Sequence, residues 1–308
     1  LVARRKIHQG LADFLEGLHE ETISGRPKYE RIVVVAHSLG SYIAYDAITF
    51  LWARMNTERD RGAVTTQPCL QHLEELAQAG QANSQEYRDA QLSLWREYQS
   101  VGNKWRISDL ITFGSPMTLA HRLLAKTRDR LHHDQIASRE LPSSPPVSEV
   151  SPPSVPPRPS ATEWFSWEPT TDSGNVRVLH HAAPFAVTRW TNYWFPPYLG
   201  FFGDWFGGPL APNFGAGVRD IPISLWQGDR WKRPRAWLQL VPAAPHAWYF
   251  KWWEDPDDGG AVATLREALD LDFADKLNEP IDDVKQRCQQ LLTSPAAPGG
   301  AADTAGDA

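Results

Sequence analysis

Apolar positions change their spacing several times along this chain, and each change marks an element. Residues 3–19 place Ile7, Leu11, Phe14, Leu15 and Leu18 at helical intervals with charges between them, predicting an amphipathic helix. Gly25, Arg26 and Pro27 interrupt it. Arg31-Ile32-Val33-Val34-Val35-Ala36 then sets four β-branched residues side by side without alternation, the pattern of a strand covered on both faces of a parallel sheet. His37-Ser38-Leu39-Gly40 reads as a sharp turn. Beyond it Tyr42, Ile43, Ala44, Ala47, Ile48 and Leu51 return to helical spacing.

Residues 53–105 are polar and Gln-rich, with a helical stripe at Leu94, Trp95, Tyr98 and Val101, and are expected to be a helical insertion too poor in apolar residues for its own core. Strand character resumes from Ile107 to Phe113 and stops at Gly114-Ser115-Pro116, before an amphipathic helix through Leu119, Leu123 and Leu124. Residues 142–160 hold eight Pro and six Ser, which predicts a disordered or polyproline-like loop. Val176–Thr191 and Trp237–Val241 read as strands, and 261–269 and 281–291 as helices. The alternation of β and α predicts an α/β fold, a mostly parallel sheet flanked by helices, in one domain over residues 1–292 with a disordered tail at 293–308.

Composition narrows the function classes. A net charge of −6 with no basic block argues against a nucleic-acid partner. Cys69 and Cys288 make neither a disulfide framework nor a cysteine-built metal site. There is no signal peptide and no apolar run of bilayer length, which favours a cytoplasmic-facing protein. Eleven of the 14 Trp fall after residue 160, which suits either an aromatic core or an aromatic-lined acyl pocket.

The chemistry concentrates at Ala36-His37-Ser38-Leu39-Gly40. A serine held in a tight strand-to-helix turn projects its hydroxyl above the sheet edge, and the residues two before and two after it are expected to be small because strand and helix approach closely there. The N–H groups opening the following helix, Leu39 first, point towards such a serine and can steady an oxyanion. An ordinary serine N-cap is the alternative. His37 reads as a packing residue.

With its strand, Val33-Val34-Val35-Ala36-His37-Ser38-Leu39-Gly40 resembles the nucleophile strand and elbow of α/β-hydrolases, lipases and esterases above all. Ile111-Thr112-Phe113-Gly114-Ser115-Pro116 is similar to the strand after the elbow helix in class 3-type lipases. The likeness covers residues 30–125 and, beyond them, only the order of elements. It implies a Ser…Asp…His triad in that chain order, with no metal and no organic cofactor. Ser115 lacks the second small residue of an elbow and is read as a strand end. Asp172, Asp204, Asp220 and Asp229 are candidate acids. The resemblance favours Asp204, which follows a strand, Asn192 and an aromatic loop, with Asp220 next. His246 is the last histidine in the chain and so the candidate base, while His180 and His181 precede the acid and read as structural. The expected site is therefore Ser38, His246 and Asp204, with the Leu39 N–H as half of an oxyanion hole.

The activity implied is serine hydrolysis of a lipid-type or other carboxylic ester. Thioesterase or acyltransferase chemistry would use the same residues, and a catalytically silent binding or scaffold domain is the alternative of a different class. The aromatic run 190–206 can line an acyl pocket, touch a membrane or simply pack on the sheet. Only residues 1–31 precede the nucleophile strand, so the resemblance implies that the first strands of the sheet and the second oxyanion donor lie upstream, where a membrane-associating segment can also sit. Residues 1–308 alone are then expected to turn over esters weakly or not at all.

Overall fold

The protein is described by a computed structural model over residues 2–58, 66–125, 127–136, 140–148, 165–167, 177–196, 204–223, 246, 249, 265–266, 268–270 and 273–293. The first helix, α1 (Val2–Glu20), buries Ala12, Leu15 and His19. A small hairpin, β1 (Thr22–Ile23) and β2 (Arg26–Pro27), turns the chain into β3 (Ile32–His37), and α2 (Leu39–Met55) follows β3 directly.

β3 is joined by β4 (Ile107–Phe113), β7 (Arg189–Trp194) and β8 (Val218–Pro222) in one four-stranded sheet of order β3-β4-β7-β8, every pair parallel. Burial explains the composition of its strands. β4 is buried along its whole length and β7 nearly so, and the polar residues they bury are paired, Asp109 with Arg189 and Thr112 with Asn192. Leu110 and Trp190 face the larger core beside Tyr45, Ile48 and Trp52 of α2. Ile111, Phe113 and Tyr193 point the other way, into a smaller cluster with Phe195, Tyr249 and Ala268. Each large side chain so buried contributes about 1.5–3 kcal/mol.

The sheet's lower end is fastened by charge. Arg189 of β7 and Arg31 before β3 both reach the Asp109 carboxylate of β4, at 2.8 Å and 2.7 Å. Burial alone would raise the Asp109 pKa, but the two guanidiniums outweigh it and hold the carboxyl below its usual range. The candidate site lies at the other, C-terminal end of the strands.

Within 53–105, α3 (Pro68–Gln78) and α4 (Gln85–Ser100) put Cys69, Leu70, Leu73, Tyr87, Leu94 and Trp95 into the main core rather than forming a separate one. The Glu97 carboxylate accepts the Cys69 and Leu70 N–H groups, both at 3.1 Å, so one helix caps the start of the other. Burial pushes the Glu97 carboxyl up to about 7 despite those donors.

Several sequence expectations change. β3 is only partly covered: among the described strands it pairs with β4, Ile32, Val34 and Ala36 pack into the larger core and Val33 against the smaller one, but Val35 is 48% exposed. The strand expected at 176–191 is two pieces. β6 (Val178–Leu179) pairs antiparallel with β5 (Ser166–Trp167), and a turn through Pro184 precedes β7. The helix at Leu119–Leu124 is a 3₁₀ turn, Pro116–Leu119, with a single α-turn, α5 (Ala120–Leu123), followed by α6 (Arg128–Ile136). The Pro/Ser stretch is ordered where described. Ser144 is buried, its N–H donating to Phe214 O and its carbonyl accepting from Gly217 N–H, both at 2.7 Å. The rest of that stretch, the strand expected at 237–241, most of 261–269 and nearly all of the 293–308 tail lie outside the described residues. α7 (Ala211–Phe214), α8 (Phe273–Asn278) and α9 (Ile281–Thr293) follow among the described residues, α9 covering the 281–291 pattern.

Candidate functional site

Ser38 sits at the upper tip of β3, with φ 54° and ψ −131°. A side chain in this region carries strain of roughly 1–3 kcal/mol and persists only where surrounding bonds enforce it. Here the Ser38 N–H donates to Phe113 O at 2.9 Å, and its carbonyl accepts from Ser41 N–H at 3.0 Å and from the Ser41 hydroxyl. The side chain makes no capping bond to α2, so the N-cap alternative does not describe it. Its hydroxyl instead donates to His246 Nε2 at 2.8 Å. Leu39 opens α2, and its N–H belongs to the first turn, where no helical carbonyl is available to accept it. One expectation about the turn fails: a Cβ on Gly40 would meet open space, so nothing packs closely enough there to demand glycine.

The other nitrogen of His246, Nδ1, lies 3.0 Å and 2.9 Å from the two oxygens of Asp204. Asp204 follows β7 on the chain, its side chain fully buried while that of His246 is 19% exposed. Carboxylate, imidazole and hydroxyl thus form one hydrogen-bonded line, with the wet end at the serine. The Nδ1–H donates to the acid, which leaves Nε2 as the acceptor for the Ser38 proton.

Space for the carboxylate comes from two glycines. A Cβ on Gly207 would lie 2.5 Å from Asp204 Oδ2 and 2.6 Å from Gly114 Cα. Gly114, at φ 54°, would place its own Cβ 2.8 Å from the same oxygen and 3.1 Å from His246 Nδ1. The Gly114-Ser115-Pro116 sequence, read only as a strand end, is therefore also part of the wall around the acid.

Three further residues hold the site. Phe206 N–H donates to Asp204 Oδ1 at 2.8 Å, and its exposed ring lies 5.2 Å from the His246 ring. Tyr249 donates its hydroxyl to Asp204 Oδ2 at 2.6 Å. Burial first, and the carboxylate charge second, keep that phenol protonated well above the usual tyrosine range. His37 donates Nε2–H to the His246 carbonyl at 2.8 Å, tying the base's own backbone to the residue beside Ser38. The nearness of Tyr249 to His246 in sequence was the available signal for the former. Nothing in the spacing pointed to the hydrogen bond made by His37.

The remaining candidates have other duties. Asp220, on β8, accepts from Asn192 Nδ2 at 2.7 Å and from the N–H groups of Leu210 and Ala211 at the start of α7. Ser115 is buried and accepts from Met117 N–H. His180 bonds Val147 O and the Ala182 N–H. Asp172 and Asp229 lie outside the described residues, as does 197–203 within the aromatic run. Trp52, Trp95, Trp105 and Trp190 are core residues, whereas Trp205 beside the acid is half exposed.

A cleft of about 690 Å³ opens elsewhere, between α3, α4, α8 and α9. Its cations are already engaged: Arg96 and Arg287 with Glu279, Lys276 with Asp270. Among the described residues no group of three or more His, Cys, Asp or Glu is placed to hold a metal ion, and no helix is long and apolar enough to cross a membrane. Comparison with protein-family models, curated proteins and solved structures finds no match to this chain.

Proposed function

We propose that this protein is a serine hydrolase of carboxylic, lipid-type esters, built on an α/β-hydrolase plan, with Ser38 as nucleophile, His246 as general base and acid, and Asp204 as the orienting carboxylate. The observation that carries this reading is the 2.8 Å hydrogen bond from a serine in a strained strand-to-helix turn to an imidazole whose far nitrogen rests on a buried carboxylate. A positive φ alone does not single Ser38 out, since Ser24 in the β1–β2 turn has φ 53°; what supports the reading is the strained turn together with the bond to His246 Nε2.

Ser38 Oγ attacks the ester carbonyl carbon while its proton passes to His246 Nε2. The carbonyl oxygen becomes an oxyanion, which the Leu39 N–H can steady. The carbon–oxygen bond to the alcohol then breaks, and His246 returns the proton to the departing alkoxide. Water enters, loses a proton to His246 and attacks the acyl-serine, and collapse releases the acid and restores Ser38. Asp204 keeps the imidazole oriented throughout and stabilises the imidazolium.

The test is covalent labelling of the full-length protein by a fluorophosphonate, with hydrolysis of p-nitrophenyl esters of graded chain length. Ser38→Ala is expected to abolish labelling and lower kcat by about 10⁴-fold or more. Labelling that survives the substitution, or an intact protein that neither labels nor hydrolyses, would return the site to a binding role.

A further inference from the structure

Tyr249 lies behind the acid and base of the candidate site. Its hydroxyl donates to Asp204 Oδ2 at 2.6 Å and accepts from the Phe195 N–H at 3.2 Å, while the Phe195 carbonyl accepts from the Asp204 N–H at 3.4 Å. One side of its ring lies against Gly114, whose Cβ would come within 2.6 Å of it. Ring centroids place it 5.7 Å from His37 and 6.4 Å, edge-on, from His246. It is fully buried. Packing alone would be served by phenylalanine. A hydroxyl threaded between a strand-end N–H and a buried carboxylate has an electrical consequence as well.

We propose that Tyr249 is a positioning residue which fixes the Asp204 carboxylate from behind and draws off part of its charge, so that His246 is oriented without being made too basic to return its proton. Asp204 Oδ2 divides its electron density between the Tyr249 hydroxyl and His246 Nδ1, and Oδ1 between Phe206 N–H and the same nitrogen. Removing the Tyr249 proton donor leaves more negative charge facing the imidazole. Extra negative charge favours the imidazolium, so the protonation midpoint of His246 rises. Because burial and Asp204 both hold the phenol well above its usual range, it remains a donor across the working pH range. Among the described residues the groups facing His246 are Asp204, the Ser38 hydroxyl, the His37 ring at 5.0 Å, the Phe206 ring at 5.2 Å and Tyr249, and Tyr249→Phe changes only the last.

The kinetic part rests on the hydrolase reading; the titration does not. In the full-length protein, NMR titration of the His246 imidazole, assigned by its loss in His246→Ala, is expected to show the Tyr249→Phe midpoint raised by about half a unit to one unit. Under the proposed function, kcat falls roughly tenfold, KM stays within about twofold, and the acid limb of the pH–rate profile moves up with the midpoint. Fluorotyrosine at 249 keeps the ring, strengthens the donor and is expected to move the midpoint down. It provides the reading if the Phe variant folds poorly. A midpoint unmoved by either change reduces Tyr249 to packing and overturns the proposal. The two readings fail separately: full activity in Ser38→Ala removes the hydrolase while the titration still judges Tyr249, and an unmoved midpoint with an inactive Ser38→Ala removes only Tyr249.

Discussion

The turn that carries Ser38 and the corner that carries Asp204 and His246 meet at a single hydrogen bond, yet they are built on opposite plans. The turn is local. A buried strand, one strained residue and the first turn of a helix follow one another without a break, and its cost is stored in one backbone angle. The corner has no local logic. Asp204, His246 and Tyr249 come from separate positions beyond β7 and converge over Gly114, at the end of β4. What it needs is room: two missing side chains, at Gly114 and Gly207, make the volume that the carboxylate fills. A site of this kind can be damaged by strain relief on one side and by a single methyl group on the other.

The sharpest way to break the comparison is to change charge without volume. Asp204→Asn keeps the shape but presents an amide that can satisfy the wrong imidazole tautomer, so kcat is expected to fall by about 10⁴ while Ser38 stays in its turn. A loss of less than tenfold in the ester assay would mean that the carboxylate does not orient His246. Volume without charge comes next. Gly207→Ala puts a Cβ at 2.5 Å from Asp204 Oδ2 and 2.6 Å from Gly114 Cα, and backbone cannot yield as a flexible side chain can. Displacement of the acid by a fraction of an ångström is expected to cost roughly 10²-fold in kcat, with a matching slowing of fluorophosphonate labelling. Unchanged labelling would show that the corner tolerates more play than its distances suggest.

How much of this was legible in the sequence follows the same division. The β-branched run at Ile32–Val35, the Ser38 turn and the strand-like stretch Ile107–Phe113 are short-range patterns, and each became the expected element. Side-chain periodicity reports burial at a residue, however, not what lies beside the strand. The run at 32–35 therefore gave no warning that β3 is the end strand among those described, with Val35 half exposed. Asp204 and His246 emerged from chain order and a family likeness, and the structure brings both to Ser38. Tyr249 and the backbone bond made by His37 depend on tertiary approach between residues 45 and 209 positions apart, which no local pattern records. β8 was missed as a strand because Val218–Pro222 mixes charged and apolar residues around Asp220, whose carboxylate is spent on Asn192 and the start of α7.

The smallest expected effect tests whether the turn is as self-contained as it looks. Gly40 occupies the second small position after Ser38, yet a Cβ there meets nothing within 4 Å. Its backbone lies in the first turn of α2, where alanine is a better helix former than glycine. Gly40→Ala is therefore expected to leave labelling and kcat within about twofold and to shift stability by less than about 1 kcal/mol, in the stabilising direction, by thermal melting. A large loss of activity in this variant would show that the start of α2 beside Ser38 is packed more tightly in solution than its open surroundings suggest. The turn would then share the corner's dependence on space provided from elsewhere in the fold.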